Sequence, residues 1–139
     1  MPTSEDRLRP HPNTRETRPV LSLDLAAAVR ALEAEPQPAA SGHRQISLLH
    51  RGPLRLLLFA FEAGGSLPAH HAPGQVVIQA LTGRLEVTTP HGRVELGPGQ
   101  VIVLEPELPH SISAVVASQM LLTICLGLLD GDASPRPRA

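Results

Sequence analysis

The chain has 139 residues, a formal net charge of -1 and 42% apolar side chains, a length that fits one domain. All 12 basic residues are arginines, spread singly, and Phe59 and Phe61 are the only aromatics. No basic patch for nucleic acid and no stacking platform for bases follows from such a composition.

Cys125 is the sole cysteine, so an intramolecular disulfide is excluded and a reducing cytoplasm is compatible. The absence of lysine, with abundant Ala, Gly and Pro, fits a GC-rich bacterial genome. Met1-Pro2-Thr3-Ser4-Glu5-Asp6-Arg7 has no apolar run behind it and does not read as a signal peptide. The most apolar run, Met120 to Leu129, is too short to span a bilayer as a helix. The expectation is a soluble, cytoplasmic protein with no membrane partner.

Residues 1–19 are charged and proline-containing, and 130–139 read alike, so both are expected to be disordered tails around a single domain over 20–129. Ser22 or Asp24 can cap a short helix over about 22–35. Leu25, Val29 and Leu32 recur there at helical spacing, and Pro36 stops it. A helix this short needs a surface to pack on. Pro36 to Gly42 is a linker. From Arg44 onward, over 44–129, the pattern changes to strands. The candidates are Gln45 to His50, Leu54 to Phe61, Gln75 to Leu81, Arg84 to Thr89, Arg93 to Leu96, Val101 to Leu104, Ser111 to Val116 and Gln119 to Leu128. Thr82-Gly83-Arg84 and Pro90-His91-Gly92 read as hairpin turns. Leu54 to Phe61 is nearly continuous apolar, which implies burial on both faces, one lining a barrel and the other meeting the helix or a second subunit. This pattern of short strands and tight turns predicts an all-β sandwich or barrel with a short N-terminal helix.

Two stretches carry the chemistry. Gly64-Gly65-Ser66-Leu67-Pro68-Ala69-His70-His71-Ala72-Pro73-Gly74-Gln75 leads into an apolar strand and Gly83. Leu96-Gly97-Pro98-Gly99-Gln100 and Leu108-Pro109-His110 follow. Together, over residues 54–116, they resemble the two motifs of the cupin family, which implies a jelly-roll β-barrel. The family's first motif places a Gly six residues before a His, a second His two further on, a Glu four beyond that and a Gly seven beyond the Glu. Here Gly64, His70 and Gly83 match, while Ala72 and Val76 stand where the second His and the Glu belong. Pro109-His110 matches the end of the second motif.

A His-x-His pair on a strand aims both imidazoles to one face. In this chain the pair is adjacent, so on a regular strand His70 and His71 point to opposite faces. The resemblance puts His70 inward with His110 converging on it. Two nitrogen ligands and no carboxylate fall short of the three or more protein ligands that zinc and iron sites use. The metal set implied is His70 and His110, with His71 joining if the segment to Pro73 bulges and Gln75 offering an amide oxygen; the cofactor expected is one divalent ion (zinc, iron, manganese or nickel) or none. Gln75 and Gln79, polar residues at an otherwise apolar strand, are assigned with His70 and His110 to a ligand pocket. His91 falls in a turn, and His11 and His43 fall in tail or linker, where solvent is expected; His50 ends a strand. Cys125 reads as an inert core residue. Glu105 and Glu107, flanking Pro106, read as solvated loop charges.

The function that follows is a cupin domain binding a small molecule or a metal, sensory or regulatory in role, without a well-formed catalytic centre. The alternative is a metal-dependent cupin enzyme of dioxygenase or isomerase type, and a third reading is a purely structural barrel. The surplus of apolar strand surface predicts a homodimer.

Overall fold

A computed structural model describes residues 18–126. The tail readings for 1–17 and 130–139, His11, and the end of the last expected strand lie outside the described residues. Arg18, at the edge of the expected tail, gives its carbonyl to the Arg51 guanidinium.

Helix α1 spans Leu25–Glu33. Of the two candidate caps the chain uses Asp24, whose Oδ1 accepts from the Ala27 N–H at 3.0 Å. Nine strands follow: β1 His43–Arg51, β2 Leu54–Phe61, β3 Ser66–His70, β4 Gln75–Thr82, β5 Leu85–Thr89, β6 Gly92–Leu96, β7 Val101–Leu104, β8 His110–Ala114 and β9 Ser118–Cys125. They form two antiparallel sheets, ordered β1-β2-β9-β4-β7 and β3-β8-β5-β6. This is the all-β jelly-roll barrel with one short helix that the sequence implied. Strand β3 had no counterpart among the strand candidates. Pro68 and Ala69 are poor strand residues, and its pairing with β8 shifts register between Leu67 and His70.

Alternation decides which side chains fill the barrel. Val76, Ile78 and Ala80 of β4 face inward against Phe59 and Phe61 of β2, Leu85 and Val87 of β5, Ile112 and Ala114 of β8, and Met120 and Leu122 of β9. The outer face of β2 is covered as well. Leu58 packs with Val29 of α1 and Leu48 of β1, with Leu56 and Ile46 alongside. The unbroken apolar run of β2 is therefore explained within one chain: one face lines the barrel and the other seats the helix.

One expected turn is corrected. Thr82-Gly83-Arg84 does not close a hairpin, because β4 pairs with β7 and β9, whereas β5 pairs with β6 and β8. Gly83, at φ 80°, carries the chain from one sheet to the other. Pro90-His91-Gly92 is a true hairpin, with Thr89 opposite Gly92. Among the described residues, no helix is long and apolar enough to cross a membrane.

Candidate functional site

Strands β3 and β8 run antiparallel with His70 opposite His110. That register brings the two imidazoles together, with ring centroids 4.3 Å apart and planes inclined at 56°. Each ring is pinned by a carbonyl two residues earlier in the chain. His70 Nδ1 lies 2.9 Å from the Pro68 oxygen and His110 Nδ1 lies 3.1 Å from the Leu108 oxygen. A carbonyl only accepts, so in each neutral ring Nδ1 carries the proton and Nε2 is left as a lone pair. His110 is 2% exposed, and its buried Nε2 has no hydrogen-bond partner among the described residues. A buried acceptor without a donor costs about 1–3 kcal/mol. A buried group of this kind calls for a partner such as a ligand, an ion or a water.

Burial also sets the protonation of His110. Desolvation pushes its pKa below the ordinary 6.5, the Leu108 carbonyl raises it in part, and charge on His70 lowers it again. The unfolded chain takes up a proton near pH 6.5 that the folded ring refuses, so the unfolded state binds more protons in the window just below. The stability associated with His110 is therefore present above about pH 6.5 and is lost as pH falls through the lowered folded value. Melting temperature measured from pH 8 to pH 5 should fall on the acid side, and His110→Gln should flatten that dependence. An unchanged slope in the variant would assign the acid sensitivity elsewhere.

The other candidate residues are placed differently. His71 is exposed and pairs through Nδ1 with Glu107 Oε1 at 2.9 Å. Glu107 is more than the solvated charge expected. Its backbone sits at φ 67°, a left-handed conformation that is rare for a residue with a side chain, and its N–H donates to the Ala72 carbonyl at 2.7 Å. The loops after β3 and before β8 are thus clasped beside the histidine pair. Gln75 and Gln79 lie on the face of β4 opposite the buried row of Val76, Ile78 and Ala80. Gln75 is exposed and lines a surface cavity of about 460 Å³ with His91, Val103, Glu105 and Leu108. The structure unites His70 and His110 and leaves both glutamines on the other face, because the strand's period of two separates them from the interior row.

His43 departs from its reading as a solvent-facing linker residue. It opens β1, its ring lies 5.9 Å from that of Phe59 and 5.7 Å from that of Phe61, and its Nδ1 is 2.9 Å from the Ser66 carbonyl. Starting β1 two residues earlier, in the same alternation as Gln45, is the sequence signal that would have found it. Glu107 left no such signal, since a left-handed residue before Leu108-Pro109 is not marked by Gly or Asn.

Among the described residues, no group of three or more His, Cys, Asp or Glu side chains could hold a metal ion. The position that would carry the family's carboxylate is Val76, 2% exposed in the core, and Ala72 packs against that core. His71 is engaged by Glu107. The donor set at the site is two imidazole nitrogens, which does not fit a divalent ion that takes three or four protein ligands.

Comparison with known proteins agrees with the architecture. The family model described as Cupin domain matches residues 57–125. No curated protein matches the chain. A conserved protein of unknown function from Streptococcus pyogenes, SPY1581, is 27% identical, with 71% of this chain and 78% of that one covered and a TM-score of 0.58. The cupin superfamily protein DSY2733 from Desulfitobacterium hafniense is 19% identical over 65% of this chain and 83% of that one, with a TM-score of 0.60. KdgF from Halomonas sp. is 19% identical over 67% and 88%, also at a TM-score of 0.60. At these last two identities the likeness concerns the fold.

Proposed function

The chain belongs to the cupin superfamily, and from that premise we propose that it is a small-molecule-binding cupin domain without a catalytic centre of its own, in which His70 and His110 receive the ligand. The observation that carries this reading is the buried, partnerless Nε2 of His110 beside a second imidazole of the same tautomer. A purely structural barrel gains nothing from an orphaned buried acceptor, because an apolar residue of similar size would remove its cost. A metalloenzyme needs ligands that Ala72 and Val76 do not supply. Capture without turnover suits a sensory or regulatory role.

The test is elemental analysis and native mass spectrometry of protein purified without a His-tag, for the parent and for His110→Ala. Metal well below one equivalent is expected, together with a retained or added low-mass molecule that the variant loses. One equivalent of a transition metal, lost in His110→Ala, would restore the metalloenzyme reading. Identical behaviour of parent and variant towards both metal and small molecules would leave only a structural barrel.

Pairing of two copies belongs to the same reading. Strands β4, β9 and β7 carry no charged side chain, and on the outer face of edge strand β7 Val101 and Val103 are 49% and 60% exposed. Charge depletion at the centre of a patch marks protein interfaces, and a two-fold pair is the commonest assembly. Light scattering should give twice the 14.8 kDa chain mass at micromolar concentration, and Val103→Glu should return a monomer. A parent that is already monomeric would refute the pairing.

A further inference from the structure

The polarity of the histidine pair restricts what it can hold. This inference rests on the reading of the pair as a ligand site. Both Nδ1 atoms are committed to main-chain carbonyls, at 2.9 and 3.1 Å, so the site presents two Nε2 lone pairs and no N–H. The residues that bring the flanking loops onto the core are apolar: Ala72 after β3 and Leu108 before β8. An oxyanion placed there faces the two ring lone pairs. A cation finds no carboxylate within a metal-holding cluster among the described residues, and burying it unpaired is costly. A neutral NH2 group answers both conditions. It offers two donors for two neighbouring acceptors, brings no charge, and carries a carbon body that suits the apolar loop residues Ala72 and Leu108.

We propose that the His70–His110 pair selects a small neutral molecule bearing an NH2 donor head, of the primary carboxamide or ureido class, on a short apolar body, and discriminates against free carboxylates. The rings read the donor, and the clasp of Glu107 on His71 and Ala72 holds together the two loops that adjoin the strands bearing those rings. This is the reverse of a metal-centred pocket, where the ion is the electrophile and the ligand supplies the lone pairs.

The experiment uses the full chain, labelled with ¹⁵N, at pH 8. Butyramide and butyrate are the probes, alike in shape and opposite in hydrogen-bonding character. Histidine side-chain ¹⁵N spectra report on each Nε2 directly. In the free protein both rings should show a protonated Nδ1 and a lone-pair Nε2. Butyramide should shift both Nε2 signals saturably, with a Kd at least about tenfold below that of butyrate, or about 1.4 kcal/mol. His70→Ala, a change at a half-exposed position, should abolish that preference while the fold persists. If butyrate shifts the same signals equally or at lower concentration, the donor inference falls and the small-molecule site stands. If neither probe moves either Nε2 signal, both fall. A protonated Nε2 on either ring of the free protein overturns the inference before any probe is added.

Discussion

Replacing Gly83 with alanine is expected to destabilise the fold by about 3 kcal/mol or more, at the upper end of single-substitution effects. Two independent terms add. The first is backbone: Gly83 sits at φ 80°, and a β-carbon there costs about 1 kcal/mol or somewhat more. The second is steric. A β-carbon at this position would lie 2.2 Å from Ser118 Oγ, 2.4 Å from the Ala117 carbonyl oxygen and 2.7 Å from Ser118 Cα. Two of those atoms are backbone, so no rotamer change relieves the contact. Ser118 is itself fixed. It is 2% exposed; its Oγ accepts from the Arg84 N–H at 2.9 Å and donates to the Val116 carbonyl at 2.7 Å. The crossing from β4 to β5 is thereby locked to the start of β9, the strand that joins β2 to β4. Gly99 provides the control, since it has nearly the same φ, 83°, and open space where the β-carbon would go. Urea unfolding should show Gly99→Ala losing only the backbone term and Gly83→Ala losing at least twice as much. Equal losses would show that the Ser118 contact yields at no cost.

Gly83 also shows how far the sequence was legible. Its need for a positive φ was readable from Thr82-Gly83-Arg84, because only glycine enters that region freely. Its role was not, because a hairpin and a sheet-to-sheet crossing use the same residue types, and only long-range pairing separates them. The strand pattern was legible where polar and apolar residues alternate, as in β5, and β2 announces burial on both faces, whereas the alternation of β4 is one of burial within a mostly apolar run. Strand β3 was hidden by Pro68 and by its irregular pairing. The site followed the same division. That His70 and His110 meet came from motif spacing, and the register of β3 with β8 explains it. The tautomers did not follow from spacing, since they depend on the carbonyls of Pro68 and Leu108, which every sequence supplies and none marks. Gln79 was assigned to the pocket as a polar residue in an apolar run. Parity along β4 places it outside, since Val76 and Ile78 are inward and Gln79 is one residue out of step with them.

That same parity makes Val76 the position where a metal site could be restored. Val76 is 2% exposed, faces inward, and is paired on one side with Leu104 and on the other with Ile124. Ala72, two residues beyond His70, packs against the same core. Val76→Glu alone should cost roughly 3 kcal/mol or more, because a carboxylate among Leu and Ile loses its hydration and must protonate or unfold its surroundings. Ala72→His alone should cost less, about 1 kcal/mol, since Ala72 is only half-buried. The double change adds one imidazole and one carboxylate to the existing pair, a set of three imidazoles and a carboxylate that suits zinc, manganese or nickel. An ion bound only by the folded state adds its binding free energy to folding, roughly 2.7 kcal/mol at a free concentration about 100 times Kd. Melting temperature with and without each metal should therefore rise steeply in the double variant and little in the parent, and the two single variants should fall between. The double variant should also gain most on the alkaline side, since protons compete with the ion for imidazole nitrogen. If parent and double variant respond equally to metal, Ala72 and Val76 do not look onto the space between His70 and His110, and the alignment of this chain's first motif with the family's would be wrong at both positions.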